Sequence, residues 1–184
     1  VSIAARSLAS RAAPSTAAPR IPDAAGILFS GRVVEFVPGE QLVVVREVSI
    51  DEDLYLLDHC FDPHVSDSAA GRDRFHVVPL TVSLEMMAEA ASLLMPGLRV
   101  VGARDMQAGK WIDVQRGAQP VILRISARRV AGAAEVQVAI RPHGTDHNRS
   151  LKNAPALAEV TIVFAESFPP PAAARFRAIE EPAR

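Results

Sequence analysis

Residues 78–97, VPLTVSLEMMAEAASLLMPG, decide the fold that the sequence predicts. Apolar side chains recur there with the period of an α-helix, and the Pro-Gly pair that closes the stretch is typical of a helix end. The pattern predicts one helix over residues 80–95 with an apolar face made of Leu80, Leu84, Met87, Ala88, Ala91 and Leu94. Glu85 and Glu89 interrupt this apolar segment, so the direction of their side chains bears on function.

Strand patterns lie on both sides of this helix. β-Branched residues dominate residues 27–36 and 41–48, and the VPGE turn between them predicts a β-hairpin. A short helix or irregular turn is predicted over residues 51–59. Beyond the long helix, further strands are predicted over residues 98–112, with a bend at the glycines, and over residues 121–127, 136–140 and 157–165. The expected fold class is α+β, with an antiparallel β-sheet wrapped around one long central helix.

The chain of 184 residues is long enough for one domain with a hydrophobic core and flanking tails. Residues 1–24 are rich in Ala, Ser, Pro and Arg, which predicts a disordered linker, although the same composition fits an organellar transit peptide. Residues 25–167 form the predicted domain, and the proline-rich residues 168–184 form a second linker or tail. Two linkers predict a domain that is part of a multidomain protein.

Composition and charge exclude several classes of partner. The net charge of −1 gives no electrostatic reason to expect a nucleic acid or an anionic membrane as partner. No apolar run approaches the roughly 20 residues that a membrane-spanning helix needs. The single cysteine, Cys60, excludes an internal disulfide and fits a reducing compartment, so a cytoplasmic location is expected.

A family resemblance rests on two segments, YLLDH at residues 55–59 and VVPLTVSLEMMAEAA at residues 77–91. The order of features resembles the hotdog fold of 3-hydroxyacyl-ACP dehydratases. These features are a hairpin, a histidine, a proline that opens a helix, a glutamate six residues after that proline and a run of antiparallel strands. Over about residues 26–166, the pattern is most similar to the N-terminal hotdog of dehydratase domains in polyketide and polyunsaturated fatty acid synthases.

The resemblance implies a role for each matched residue. His59 falls on the catalytic histidine, Asp58 on the residue before it, and Glu85 on the acidic partner. Pro79 opens the helix, and with Leu80 and Thr81 it forms the expected substrate-binding helix start. Dehydration of a 3-hydroxyacyl thioester needs a base for the proton beside the carbonyl and an acid for the departing hydroxyl. Glu85 is therefore expected to be buried among apolar residues and to hold the proton for the leaving oxygen.

The resemblance also implies the partners. The substrate would be carried on the phosphopantetheine of an acyl carrier protein, and neither a cofactor nor a metal is expected. Such dehydratases place the histidine and the acid on opposite sides of an interface between two hotdogs. The second hotdog would be another copy of this chain or the adjoining half of a double hotdog. In the second case the acid would come from that half, and Glu85 would be structural.

Other interpretations stay open. A catalytically silent hotdog that dimerises within a synthase is the main alternative, because Pro63 and Leu80 stand where the family has glycines. An acyl thioesterase on the same fold would need no histidine at position 59. A metal pair of His143 and His147 has suitable spacing but lies in a predicted loop. The polar insertion between His59 and Pro79 is expected to contain His64 and His76, and Trp111 is expected in the core or at an interface.

Overall fold

The computed structural model describes residues 31–61, 75–144 and 155–171. The predicted linker over residues 1–24, most of the predicted tail, Pro63, His64 and His147 lie outside these ranges. The described elements, in chain order, are β1 Arg32–Val37, β2 Gln41–Val48, α1 Tyr55–Asp58, β3 Cys60–Phe61, β4 Phe75–Val77, α2 Leu80–Ser92, β5 Arg99–Ala108, β6 Asp113–Val114, β7 Val121–Arg129, β8 Glu135–Pro142 and β9 Ala158–Ala165.

Six of the strands form one antiparallel sheet in the order β1-β2-β7-β8-β9-β5. The hairpin of β1 and β2 is closed by a turn in which the Glu40 N–H donates to the Val37 carbonyl at 3.0 Å. Gly39 takes the position of positive φ, 69°, that such a turn requires after a proline. The predicted hairpin, the paired strands β7 and β8, and the bend of β5 at Gly102 are confirmed.

The core lies between the inner face of this sheet and α2, which packs against β7, β8 and β9. Alternate residues along β7 and β8 point inward, as the period of two requires. The fully or nearly fully buried set on these strands is Leu123, Ile125, Ala127, Val136, Val138 and Ile140. On the outer face, Arg124 of β7 donates to Glu35 of β1 at 3.0 Å.

Helix α2 is shorter than predicted. It contains 13 residues and ends at Ser92, whereas the sequence pattern continues to residue 95. The Ser92 hydroxyl donates to the Ala88 carbonyl at 2.8 Å, and the next residues form separate turns in which Met95 N donates to Ser92 O. Pro96 disfavours the helical conformation for the residue before it, so the apolar pattern continues beyond the end of the helix.

The buried face of α2 also differs from the predicted one. Met87 and Ala91 are buried as expected, but Leu80 is 50% exposed. Ser83, Met86 and Ala90 complete the buried side instead. Full burial of each methionine contributes on the order of 2 kcal/mol, which is enough to decide which side of a short helix faces the sheet.

A smaller sheet, in the order β3-β4-β6, lies beside the first turn of α2. Its central strand β4 pairs with β3 through Cys60 and His76 and with β6 through His76 and Val114. None of the helices in the described ranges is long and apolar enough to cross a membrane.

An ion pair holds the turn before α1. Asp53 is 4% exposed and accepts from the Arg46 guanidinium at 2.5 Å and from the Ser49 amide at 3.1 Å. The Asp53 carbonyl accepts the Leu56 amide at 2.9 Å, which starts the single turn of α1. Burial, followed by the charge of Asp53, raises the pKa of the Tyr55 phenol well above its usual range, against an opposing effect of Arg46.

Replacement of Asp53 by alanine is expected to lower the free energy of unfolding by about 3 kcal/mol, because Arg46 keeps a largely buried charge without its carboxylate. Chemical denaturation measures this change. Asp51→Ala is the matched control, since Asp51 is exposed on the same turn, and it is expected to change stability by less than about 0.5 kcal/mol. Equal losses in the two variants would contradict the role of the pair.

The raised pKa of Tyr55 predicts a loss of stability in alkali. In the unfolded chain the phenol has a pKa of about 10, and in the folded chain it keeps its proton to higher pH. The stability that the protonated phenol contributes is therefore fully present below about pH 10 and is lost as the pH rises further. The free energy of unfolding should fall by up to about 1.4 kcal/mol per pH unit in that window. Tyr55→Phe should remove this part of the slope. Tyrosinate absorbance reports the group directly, because the chain has one tyrosine.

Candidate active site

His59 stands at the junction of α1 and β3. Its amide donates to the Tyr55 carbonyl at 3.1 Å and so completes the turn of α1, while its own carbonyl accepts the Val77 amide at 3.3 Å. The residue is partly buried. The backbone on both sides of the imidazole is therefore fixed by hydrogen bonds to two different elements.

The His59 ring has a defined orientation. Its Nδ1 lies 2.7 Å from the Val77 carbonyl oxygen. A carbonyl oxygen only accepts, so Nδ1 donates, and the neutral ring keeps its unprotonated nitrogen at Nε2. The imidazole is thus held in the tautomer that lets Nε2 accept a proton.

A cluster of three aromatic rings begins beside this imidazole. Phe61 lies edge-on to His59, with ring centroids 5.8 Å apart, and is stacked on Trp111 at 5.4 Å with an interplanar angle of 12°. Phe75 also contacts Trp111, with ring centroids 5.7 Å apart and an interplanar angle of 46°. Trp111 is nevertheless 63% exposed, so of the two predicted locations, core or interface, the core of this chain is excluded. These rings form an apolar wall that is open to solvent on its outer side.

A cavity of about 290 Å³ lies between this wall and the start of α2. Its lining is mainly apolar, and its polar side chains are those of His59, Ser83 and Lys110. The residues that border it are His59, Phe61, Val77, Val78, Leu80, Ser83, Ala108, Lys110, Trp111, Ile112, Leu157 and Ala158. The cavity is smaller and more apolar than a site for a large polar ligand, and its walls suit an acyl chain with few polar atoms.

The N-terminal turn of α2 lies beside this cavity. Pro79 is the N-cap, and the first helical hydrogen bond runs from the Ser83 amide to the Pro79 carbonyl at 3.0 Å. The amides of Leu80, Thr81 and Val82 therefore have no acceptor within the helix. In the part of the chain that the structure describes, no side chain caps this end. The helix start can offer donors to a negatively charged oxygen.

The structure separates the predicted site residues into two groups. His59 and Leu80 border the cavity, and Pro79 is the partly buried N-cap of α2. Asp58 and Thr81 are exposed and do not line the cavity.

Glu85 is exposed, so the expectation that it is buried among apolar residues of this chain is wrong. Ser83 takes the buried position next to the cavity, and Glu85 follows it by two residues, or roughly 200° around the helix. The carboxylate accordingly faces away from the cavity of its own chain. The sheet packs on the side of Met86, Met87 and Ala90, which leaves the opposite side of α2 to Glu85.

Sequence reasoning missed two polar residues of the site region. Ser83 precedes Met87, Ala90 and Ala91 at helical spacing, and that period could have placed its hydroxyl on the inner face. His76 belongs to β4 and is 3% exposed, so its assignment to a polar insertion is wrong. Nothing in the short segment FHVV distinguishes a buried histidine from a loop histidine. Within the described ranges, no cluster of three or more His, Cys, Asp or Glu side chains could hold a metal ion.

No protein-family model matches the sequence, and no curated protein matches it. Among solved structures, the chain is similar to the dehydratase domain from the CurF module of the curacin polyketide synthase. The TM-score is 0.56, with 14% identity over 78% of this chain and 45% of that one. It is also similar to the dehydratase domain from the terminal module of the rifamycin polyketide synthase, with a TM-score of 0.51 and 20% identity over 84% of this chain and 50% of that one.

A third similar structure is the dehydratase domain from the CurK module of the curacin synthase, with a TM-score of 0.52 and 15% identity over 76% of this chain and 44% of that one. The chain spans about half the length of each of these structures. At such identities the similarity shows the fold. The chain therefore has the hotdog fold of polyketide synthase dehydratase domains, and the resemblance predicted from its sequence is confirmed at that level.

Proposed function

We propose that the chain is a dehydratase-type domain of a polyketide or fatty acid type synthase. It would eliminate water from a 3-hydroxyacyl thioester and release a 2-enoyl thioester. The observation that carries the proposal is the geometry of His59, whose Nδ1 donates to the Val77 carbonyl at 2.7 Å while the ring borders an apolar cavity. The shared fold with polyketide synthase dehydratase domains supports it.

In this reaction His59 is the base. Nε2 removes a proton from the carbon beside the thioester carbonyl, and the electron pair moves towards the carbonyl oxygen and then forms the double bond as the hydroxide leaves. The Val77 carbonyl stabilises the imidazolium that results, because it already accepts the Nδ1 proton. Phe61 and Trp111 keep part of the site apolar, which strengthens electrostatic interactions there.

The start of α2 supplies the second requirement of the reaction. Negative charge builds on the thioester oxygen when the proton is removed, and N–H donors aimed at that oxygen lower the barrier. The amides of the first helical turn have no acceptor within the helix, and Leu80 and Ser83 on that turn border the same cavity as His59. Ser83 can add a hydroxyl donor from the helix side.

The proton for the departing hydroxyl has no carboxyl source in the lining of this cavity, as far as the described residues extend. We therefore assign the acid to a second hotdog. It is either Glu85 of another copy, which is exposed and available, or a residue of an adjoining half. The matched dehydratase structures are about twice as long as the region that matches, which favours the adjoining half. In that case Glu85 has a structural role.

The substrate would be delivered by an acyl carrier protein on its phosphopantetheine arm, and the chemistry needs no further cofactor. The cavity has a polar side chain at its exposed part, Lys110, beside the exposed side chain of Trp111. This opening leaves a path by which an acyl thioester can reach Nε2 of His59 from solvent.

A catalytically silent hotdog remains the second candidate, and one observation favours it. Leu80 borders the cavity with a large side chain at the helix start, where the resembled family has a glycine. A thioester would have to approach the first-turn amides past this side chain. Such a module would still associate with a second hotdog and help to shape a synthase.

The proposal predicts that His59→Ala lowers kcat/KM for dehydration of a 3-hydroxyacyl pantetheine thioester by at least about 100-fold, because the proton then has no positioned acceptor. The assay should be run on this chain and on a longer polypeptide that continues beyond Arg184. His143→Ala is the matched control, since His143 is exposed and does not border the cavity.

The two sources of the acid give different results in this assay. Loss of activity in Glu85→Gln of this chain alone would assign the acid to a second copy, whereas activity that appears only in the longer polypeptide would assign it to an adjoining half. Binding can be followed separately by the fluorescence of Trp111, the chain's single tryptophan. An absence of turnover in both wild-type forms, with the protein folded, would leave the silent hotdog.

A further inference from the structure

Two histidines link the same pair of segments in opposite directions. His59, after α1, donates from Nδ1 to the Val77 carbonyl in β4 at 2.7 Å. His76, in β4, has its Nδ1 2.8 Å from the Leu56 carbonyl in α1. Because both acceptors are carbonyl oxygens, both rings donate from Nδ1. We call the two rings with Leu56 and Val77 the histidine clamp.

The histidine clamp stabilises α1, which is too short to be stable by itself. Helix α1 has 4 residues, and no side chain of the described residues caps its N-terminus. A single turn of helix is unstable without tertiary contacts. Its carbonyl at Leu56 is fixed by His76, and its C-cap at His59 is fixed to Val77 through both the backbone and the ring.

His76 does not border the cavity in which the reaction is proposed. It is 3% exposed, and its strand position is paired with Cys60 on one side and Val114 on the other. A buried polar ring at such a position is destabilising unless it is hydrogen-bonded, and its hydrogen bond goes to the turn that ends in His59.

We propose that His76 is a positioning residue for His59. By holding the Leu56 carbonyl, it fixes the turn of α1 at the angle at which the His59 ring meets Val77 and Nε2 is left for the cavity. The structural part of this proposal stands without the proposed function, and only its effect on rate rests on that function.

Three substitutions separate the hydrogen bond from the bulk of the ring. His76→Asn places an amide donor near the position of Nδ1, His76→Gln places it near that of Nε2, and His76→Leu removes the donor. The first readout is nitrogen and proton NMR of the His59 ring, which reports the Nδ1 proton and its exchange with water. The second readout is kcat and KM for dehydration. It is measured on whichever wild-type form, this chain or the longer polypeptide, shows turnover in the assay described above.

His76→Leu and His76→Gln are expected to speed exchange of the His59 Nδ1 proton about tenfold and to lower kcat about tenfold with little change in KM, because Nε2 is then misplaced. His76→Asn is expected to stay within about threefold of the wild type in both readouts. If His76→Leu does not fold, the comparison of the asparagine and glutamine variants tests the same point.

Val136→Ala is the matched control, because Val136 is fully buried in β8 and belongs to neither the clamp nor the cavity. It should lower stability and leave the His59 Nδ1 proton unchanged. An unchanged Nδ1 proton in both His76→Leu and His76→Gln would overturn the proposal, and so would the same change in Val136→Ala at equal loss of stability. Failure of the proposed function would show as a wild type without turnover, while the NMR result would still decide the clamp.

Discussion

Strand β4 is the constraint on which the candidate site depends. In three residues it pairs with β3 on one side and β6 on the other, and its Val77 carbonyl accepts the imidazole proton of His59. The next residue, Val78, donates to the Ile112 carbonyl at 2.9 Å, and Pro79 then begins α2. The His59 ring, the aromatic wall and the start of α2 are therefore positioned by one short run of backbone hydrogen bonds.

The large sheet serves this arrangement by holding α2 in place. Alternating apolar residues of β7 and β8 form a surface against which Met86, Met87 and Ala90 are buried. This packing fixes the rotation of the helix, and the rotation directs Ser83 to the cavity and Glu85 to solvent. Core packing thereby determines which polar groups the site contains.

The sequence predicted the elements whose signals are local. The alternation of apolar and polar residues predicted the paired strands β7 and β8, and the Pro38-Gly39 turn predicted the first hairpin. The end and rotation of α2 were mispredicted, since both depend on which side meets the sheet and on the Ser92 hydroxyl. His76 could not be placed, because its burial follows from strand pairings with residues distant in sequence. His59 and Leu80 were singled out through the resemblance of their segments, and both border the cavity.

The lining of the cavity beside His59 contains no carboxyl side chain within the described ranges. In the proposed reaction the acid must therefore come from a second hotdog. The most direct test of the proposed reaction is the structure of the assembly with a 3-hydroxyacyl pantetheine analogue that cannot lose water. The carbon beside the carbonyl is expected to lie about 3 to 3.5 Å from His59 Nε2. An analogue bound away from this cavity, or a His59 ring turned from Val77 with Nε2 bonded elsewhere, would contradict it.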